Sequence, residues 1–165
     1  LLGVRVGAGD LVRQVCALVS ACYSDRVSKK SGKIAARIAS FQGRELAAHY
    51  LGFFDCFNDQ LFYEAHEVLE EIWLVDRLGP NGDFFKGLIQ LAGAFVHLQK
   101  ERLRPAAALF NLARANLSKS PTTHERLDVA AVLKLIEAWL GWLEGEAFAF
   151  NPLRQRAAPT LGLLE

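Results

Sequence analysis

Apolar residues recur along this chain at intervals of three and four, the spacing that gathers side chains on one face of an α-helix. Nowhere do they alternate strictly enough to predict a strand. An amphipathic helix over residues 10–23, capped by Asp10, opens the series. Residues 24–33 are polar and aperiodic and read as a linker. The helical spacing returns with Ile34, Ile38 and Phe41, then with Leu46, Ala47, Tyr50 and Phe54, and Gly43 and Gly52 blur the boundaries. Asn58-Asp59 is placed to cap the next helix, over residues 59–77.

That helix organises the rest. On a wheel, Leu61, Ala65, Val68, Leu69, Ile72 and Val75 form one apolar arc, extended by Phe62 and Trp73, while Glu64, Glu67 and Glu71 gather on the far side as solvated charge. His66 lies just past Trp73 at the edge of the arc. Glu70 follows it at i+4, a spacing that sets Cβ atoms about 5–6 Å apart. The wheel therefore selects Glu70 as the partner of His66.

Leu78-Gly79-Pro80-Asn81-Gly82-Asp83 is a dense turn signal that reverses the chain. The helix beyond it, residues 83–100, should pack antiparallel to the first. It is apolar nearly all round, except for a ridge of Lys86, Gln90 and His97, and Gly87 and Gly93 invite close approach by a neighbour. Pro105 suits the first turn of a helix over 105–118. Ser120 to Thr123 reads as the cap of another, over 124–143, carrying Trp139 and Trp142 and closed by Gly145. Phe148 to Leu153 reads as an extended segment laid over an apolar surface. The fold class is thus all-α, a compact bundle of five to six helices with antiparallel core helices. Its expected domains are an N-terminal helix and linker (1–33), a single helical domain (34–153) and a loose C-terminal tail (154–165).

Composition changes this picture little. One domain's length, 52% hydrophobic residues and 22% charged ones indicate a folded core. A net charge of +1 supplies no field for a polyanion, so no nucleic-acid partner is expected. The run of residues 83–100 is too short and interrupted to span a membrane. Cys16, Cys22 and Cys56 fit no zinc spacing and read as reduced, buried residues of a cytoplasmic protein. Val19-Ser20-Ala21-Cys22 has the form of a lipoprotein cleavage site, but Asp10, Arg13 and Gln14 interrupt the required apolar run. Trp139, Trp142, Phe148 and Phe150 add apolar surface near the C-terminal end and suggest a homodimer.

Two runs carry a family resemblance. Glu64-Ala65-His66-Glu67-Val68-Leu69-Glu70-Glu71-Ile72-Trp73 and Gly87-Leu88-Ile89-Gln90-Leu91-Ala92, followed by His97, resemble the His-x-x-x-Glu-x-x-Trp signature and the Gly-Leu-Ile-Gln helix of the bacterial and archaeal domain-of-unknown-function 309 family. With Phe57-Asn58 before them, the likeness covers roughly residues 45–118. It implies a small all-helical domain, suggests metal binding at the His/Glu signature and supplies no substrate. The chain departs from the family after the His97 helix, where Glu101-Arg102 and Pro105 stand in place of a Gly-Asn pair and a following glycine.

If the two central helices pack antiparallel, His66, Glu70, Trp73, Gln90 and His97 converge among apolar walls, where buried polar groups must find partners or a ligand. The leading reading is a non-catalytic binding or scaffold domain built on that polar site, with a small molecule or protein as its unidentified partner. In its structural form His66 and Glu70 are a packing pair and Gln90 satisfies His66. The alternative is a metal-binding protein or metal-dependent hydrolase, with His66, Glu70 and His97 as ligands to zinc, iron or manganese. The paired Glu-x-x-His motifs of di-metal bundles and the second histidine of His-Glu-x-x-His are both missing. A third reading makes His66 a general base oriented by Glu70 in a pocket lined by Phe62, Trp73 and Phe84, but no nucleophile or oxyanion donor accompanies it. His49 and His124 read as surface or structural residues.

Overall fold

The computed structural model describes residues 32–165. The helix expected over 10–23, Cys16, Cys22 and most of the linker lie outside them. The described residues divide into two units, 32–48 and 49–165. In the first, α1 spans Gly32–Ser40. Ser40 Oγ donates to the Arg37 carbonyl at 2.6 Å, and Gly43 turns the chain at φ +78°, a left-handed conformation that suits a residue without Cβ. The continuous apolar periodicity from Ile34 is therefore broken at Gly43, whereas Gly52 lies buried inside the next helix.

The second unit holds α2 (Ala48–Asn58, whose first residue belongs to the first unit), α3 (Phe62–Val75), α4 (Gly82–Gln99), α5 (Leu103–Leu117), α6 (Val129–Gly145) and the short α7 (Pro152–Gln155). It is the all-α bundle that the periodicity predicts. The antiparallel run of α3 and α4 shows in their ends, where Phe62 at the start of one stacks on Phe95 near the end of the other, with ring centroids 4.9 Å apart. Phe95 is the hub of the core. Its ring also meets Phe57 of α2 at 5.5 Å, Phe110 of α5 at 5.3 Å and Trp139 of α6 at 4.9 Å, all edge to face. Contacts of this geometry contribute about 0.5–1.5 kcal/mol each beyond the area they bury. Close approach at Gly87 serves α5, not α3: a Cβ there would lie 2.7 Å from Leu117 Cγ.

Three local expectations are corrected. Asn58 does not cap α3, whose N-cap Leu61 has no side-chain bond. Instead the Asn58 amide pairs with the Leu161 backbone in both directions, at 2.9 and 2.7 Å. Second, the residues expected as a loose tail are held: Leu161 is buried, Leu163 bridges to Leu127, and Leu164 and Arg126 exchange hydrogen bonds of 2.7 and 2.8 Å. Third, residues 123–128 are not the start of a helix. They form a hairpin of β1 (Thr123–His124) and β2 (Leu127–Asp128), antiparallel, with Thr123 opposite Asp128 and His124 opposite Leu127. Asp128 then caps α6 by accepting the Ala131 N–H at 2.9 Å.

The hairpin escaped prediction because its turn has unusual residues. A two-residue turn with both φ values positive favours Asn-Gly or Asp-Gly. Here Glu125 and Arg126 occupy it at φ +48° and +60°. Each side chain held there costs about 1–2 kcal/mol, which the anchoring contacts must offset.

Candidate functional site

The helical repeat places His66, Glu70 and Trp73 on one ridge of α3, at i, i+4 and i+7. All three are half-buried. His66 Nδ1 and Trp73 Nε1 are sealed from solvent, and neither has a hydrogen-bond partner. Leaving such an atom unpaired costs about 1–3 kcal/mol. The imidazole lies over the Tyr63 ring, centroids 6.2 Å apart and planes 28° from parallel. No hydrogen bond joins His66 to Glu70 among the described residues.

A side-chain hydrogen bond between helices does exist, one register away. His49 Nε2 of α2 donates to Glu71 Oε2 of α3 at 3.1 Å, with both side chains only 17% exposed. Glu71 is therefore a packing residue and not solvated charge, and Glu64 and Glu67 are half-buried as well. The wheel of α3 alone does not show this, because the partner comes from another helix.

Gln90 turns to α5. Its Oε1 accepts from Asn116 Nδ2 at 2.8 Å; Lys119 Nζ donates to Asn116 Oδ1 at 3.2 Å and to Asp83 at 3.0 Å. This polar ladder fastens α4 to α5 and leaves His66 without Gln90. His97 occupies the last turn of α4, its Nδ1 also buried and unpartnered. Burial, then the Arg102 and Lys100 charges, hold its pKa below the ordinary imidazole value. Among the described residues no three His, Cys, Asp or Glu side chains are grouped to hold a metal ion, so His66, Glu70 and His97 do not form a three-ligand set. The donor set does not fit the metal that the signature suggests. Phe62 and Phe84, expected to line a pocket, are core rings with 0% and 1% exposure.

A second cluster lies at the other end of α4. Asn81, at the N-cap position, makes no capping bond. Its Nδ2 donates to Glu125 Oε1 at 2.8 Å, and its Oδ1 lies 2.8 Å from His124 Nε2. A carboxylate only accepts, so the amide nitrogen must face Glu125 and the amide oxygen must face the imidazole. His124 consequently carries its proton on Nε2. Phe84 meets the imidazole edge to face at 4.8 Å, and the Tyr50 hydroxyl donates to the Glu125 carbonyl at 3.0 Å. Burial, then the Glu125 carboxylate, push the Tyr50 phenol well above its usual range, so it stays a donor. The sequence held one usable signal for this cluster, the Pro-Asn-Gly turn, but nothing tied that turn to residues 124 and 125.

At the C-terminal end, Trp139 is in the core, Arg156 covers Trp142 at 3.8 Å from its ring centroid, and Arg104 lies 4.6 Å over Phe148. Of the four aromatic residues expected to favour a homodimer, Phe150 alone stays exposed, at 55%. No helix among the described residues is long and apolar enough to cross a membrane.

Residues 50–109 match the family model described as domain of unknown function (DUF309), the family that the two runs resemble. The match covers α3 and α4 and stops before His124. No curated protein and no solved structure matches the chain.

Proposed function

We infer, for a chain that carries a DUF309 segment over residues 50–109, that the α3 ridge is a binding site for a small polar ligand and that the segment acts by binding rather than by catalysis. The observation that carries this reading is the pair of sealed, partnerless atoms on one ridge, His66 Nδ1 and Trp73 Nε1. An indole N–H can only donate, so the ligand must offer an acceptor to Trp73 and a group for His66; an amide has that chemistry and also carries an N–H. Glu70 lies between them on the same ridge and is available to a ligand N–H.

A packing role for the His66/Glu70 pair is less well supported, because His49 and Glu71 already make the interhelical hydrogen bond. A test follows from the cost of unpaired groups. Trp73→Phe removes an unsatisfied donor and should leave the chain as stable as before or up to about 1 kcal/mol more stable, while abolishing the melting-temperature gain that a matching amide produces in a thermal-shift screen. A large loss of stability in Trp73→Phe, with ligand response intact, would refute the binding reading.

A further inference from the structure

His124 and Glu125 lie outside the matched segment, although Asn81, which holds both, lies inside it, and their chemistry differs from that of the α3 ridge. His124 Nε2 is committed to Asn81, and Glu125 Oε1 is committed to the same amide. Both side chains therefore lie on one surface, within a single amide's reach of each other. Their remaining acceptors are unused: His124 Nδ1 makes no hydrogen bond among the described residues and, unlike His66 Nδ1 and His97 Nδ1, it is not sealed from solvent. The same holds for Glu125 Oε2. A fixed tautomer with a lone pair facing outward, beside a carboxylate, is an arrangement of acceptors only.

Two features argue that this is more than a turn. Asn81 gives up the capping bond that its position invites in order to hold the two side chains. The turn also places two charged residues in left-handed conformations, where Asn-Gly would sit without strain. Such local sacrifices concentrate at functional positions. The strain is held by the Tyr50 hydroxyl on one side and by the tail at Arg126 on the other.

We propose that His124 Nδ1 and the Glu125 carboxylate form a binding site for an alkylammonium group, either of a free amine or of a lysine side chain, with Asn81 as the positioning residue. An ammonium offers three donors and a full charge, matching one neutral acceptor and one anionic one. The open acceptors and the negative charge select a cation, which separates this site from the neutral-amide site on α3.

The test uses the full chain, labelled with ¹⁵N, near pH 8, where imidazole is neutral. Long-range ¹H–¹⁵N spectra should show His124 as the Nε2–H tautomer. Titration with n-butylammonium chloride, against potassium chloride at equal ionic strength, should shift the His124 Nδ1 resonance saturably. Glu125→Gln keeps an acceptor for Asn81 but loses the charge, and should weaken binding about tenfold or more; Asn81→Ala should mix the tautomers and weaken it similarly. An acetylated, amidated lysine tripeptide that binds more tightly than butylammonium identifies a protein side chain as the natural occupant; tighter binding of the amine identifies a free amine. A mixed or Nδ1–H tautomer in the unmodified chain overturns the proposal, as does a His124 response no larger than that to potassium chloride. So does undiminished binding by Glu125→Gln. None of these outcomes depends on the α3 ridge.

Discussion

His66 and His124 are both half-buried imidazoles beside an aromatic ring, and they stand at opposite extremes of satisfaction. The first has a nitrogen shut away from water with nothing to bond, on a regular helix without backbone strain. The second has its inner nitrogen bonded and its outer one open, and it precedes a strained turn at Glu125-Arg126. In one region the free-energy cost is carried by polar atoms and is relieved only when a partner arrives. In the other it is carried by dihedral angles and is offset by contacts already present. A sealed, unpaired group signals what a site needs; an open acceptor held in place by a strained turn signals what a site presents.

The largest way to break this comparison is Phe84→Ala. Phe84 is buried against Tyr50, Phe85 and His124, with centroids 6.1, 5.6 and 4.8 Å away. Truncating a core phenylalanine costs about 3–5 kcal/mol, read as a lower urea midpoint. The loss should also free the His124 ring and mix its tautomers, while the His66 resonances stay in place. Equal disturbance at both imidazoles would mean that the two regions are one cooperative network, and the contrast between them would fail.

The two regions differ as much in how far the sequence reveals them. Helical periodicity finds α3, α4 and the ridge of His66, Glu70 and Trp73, because each is a property of spacing within one element, and the Leu78–Asp83 turn signal gives the antiparallel order of the two helices. It misses what depends on another element. Glu71 looks solvated until His49 arrives from α2, and Gln90 looks directed at His66 until Asn116 captures it from α5. The hairpin is hidden for a further reason: tertiary anchors from Tyr50, Asn81 and the tail let Glu125-Arg126 take a turn that their own propensities oppose. Asn58 misleads in the same way, having the chemistry of a helix cap and the role of a clasp on Leu161.

Tyr50→Phe sharpens the contrast with a smaller effect. It removes the hydrogen bond that steadies the strained Glu125 and leaves that carbonyl unpaired, at a cost of about 1–2 kcal/mol. The pH dependence identifies the cause. Because the folded phenol titrates above its ordinary value of 10.0, its contribution is complete below that pH and is lost as the pH rises through the folded pKa. Unfolding midpoints of the unmodified chain should therefore fall in alkali above pH 10.0, and Tyr50→Phe should flatten that limb. A substitution that leaves both the midpoint and the alkaline limb unchanged would remove Tyr50 from the account of the hairpin.

The smallest expected effect concerns His97, the second sealed imidazole, where acid tests what burial without a partner does. Burial first, then Arg102 and Lys100, depress its pKa, so the unfolded chain takes up a proton at a higher pH than the folded chain does. The sign follows: stability is complete above the ordinary value of 6.5 and falls as the pH drops through the folded pKa. Glu101, in the turn after α4, has the same sign over a lower window. Its hydrogen bonds from Arg154 at 2.6 Å and Asn151 at 3.1 Å lower its pKa, so its contribution is complete above 4.5 and is lost in stronger acid. Urea midpoints measured from neutral pH downward should thus show two successive declines. His97→Gln should flatten the upper one and leave the lower, and Glu101→Gln should do the reverse. If His97→Gln leaves the decline below pH 6.5 untouched, the sealed nitrogen of His97 imposes no cost on protonation.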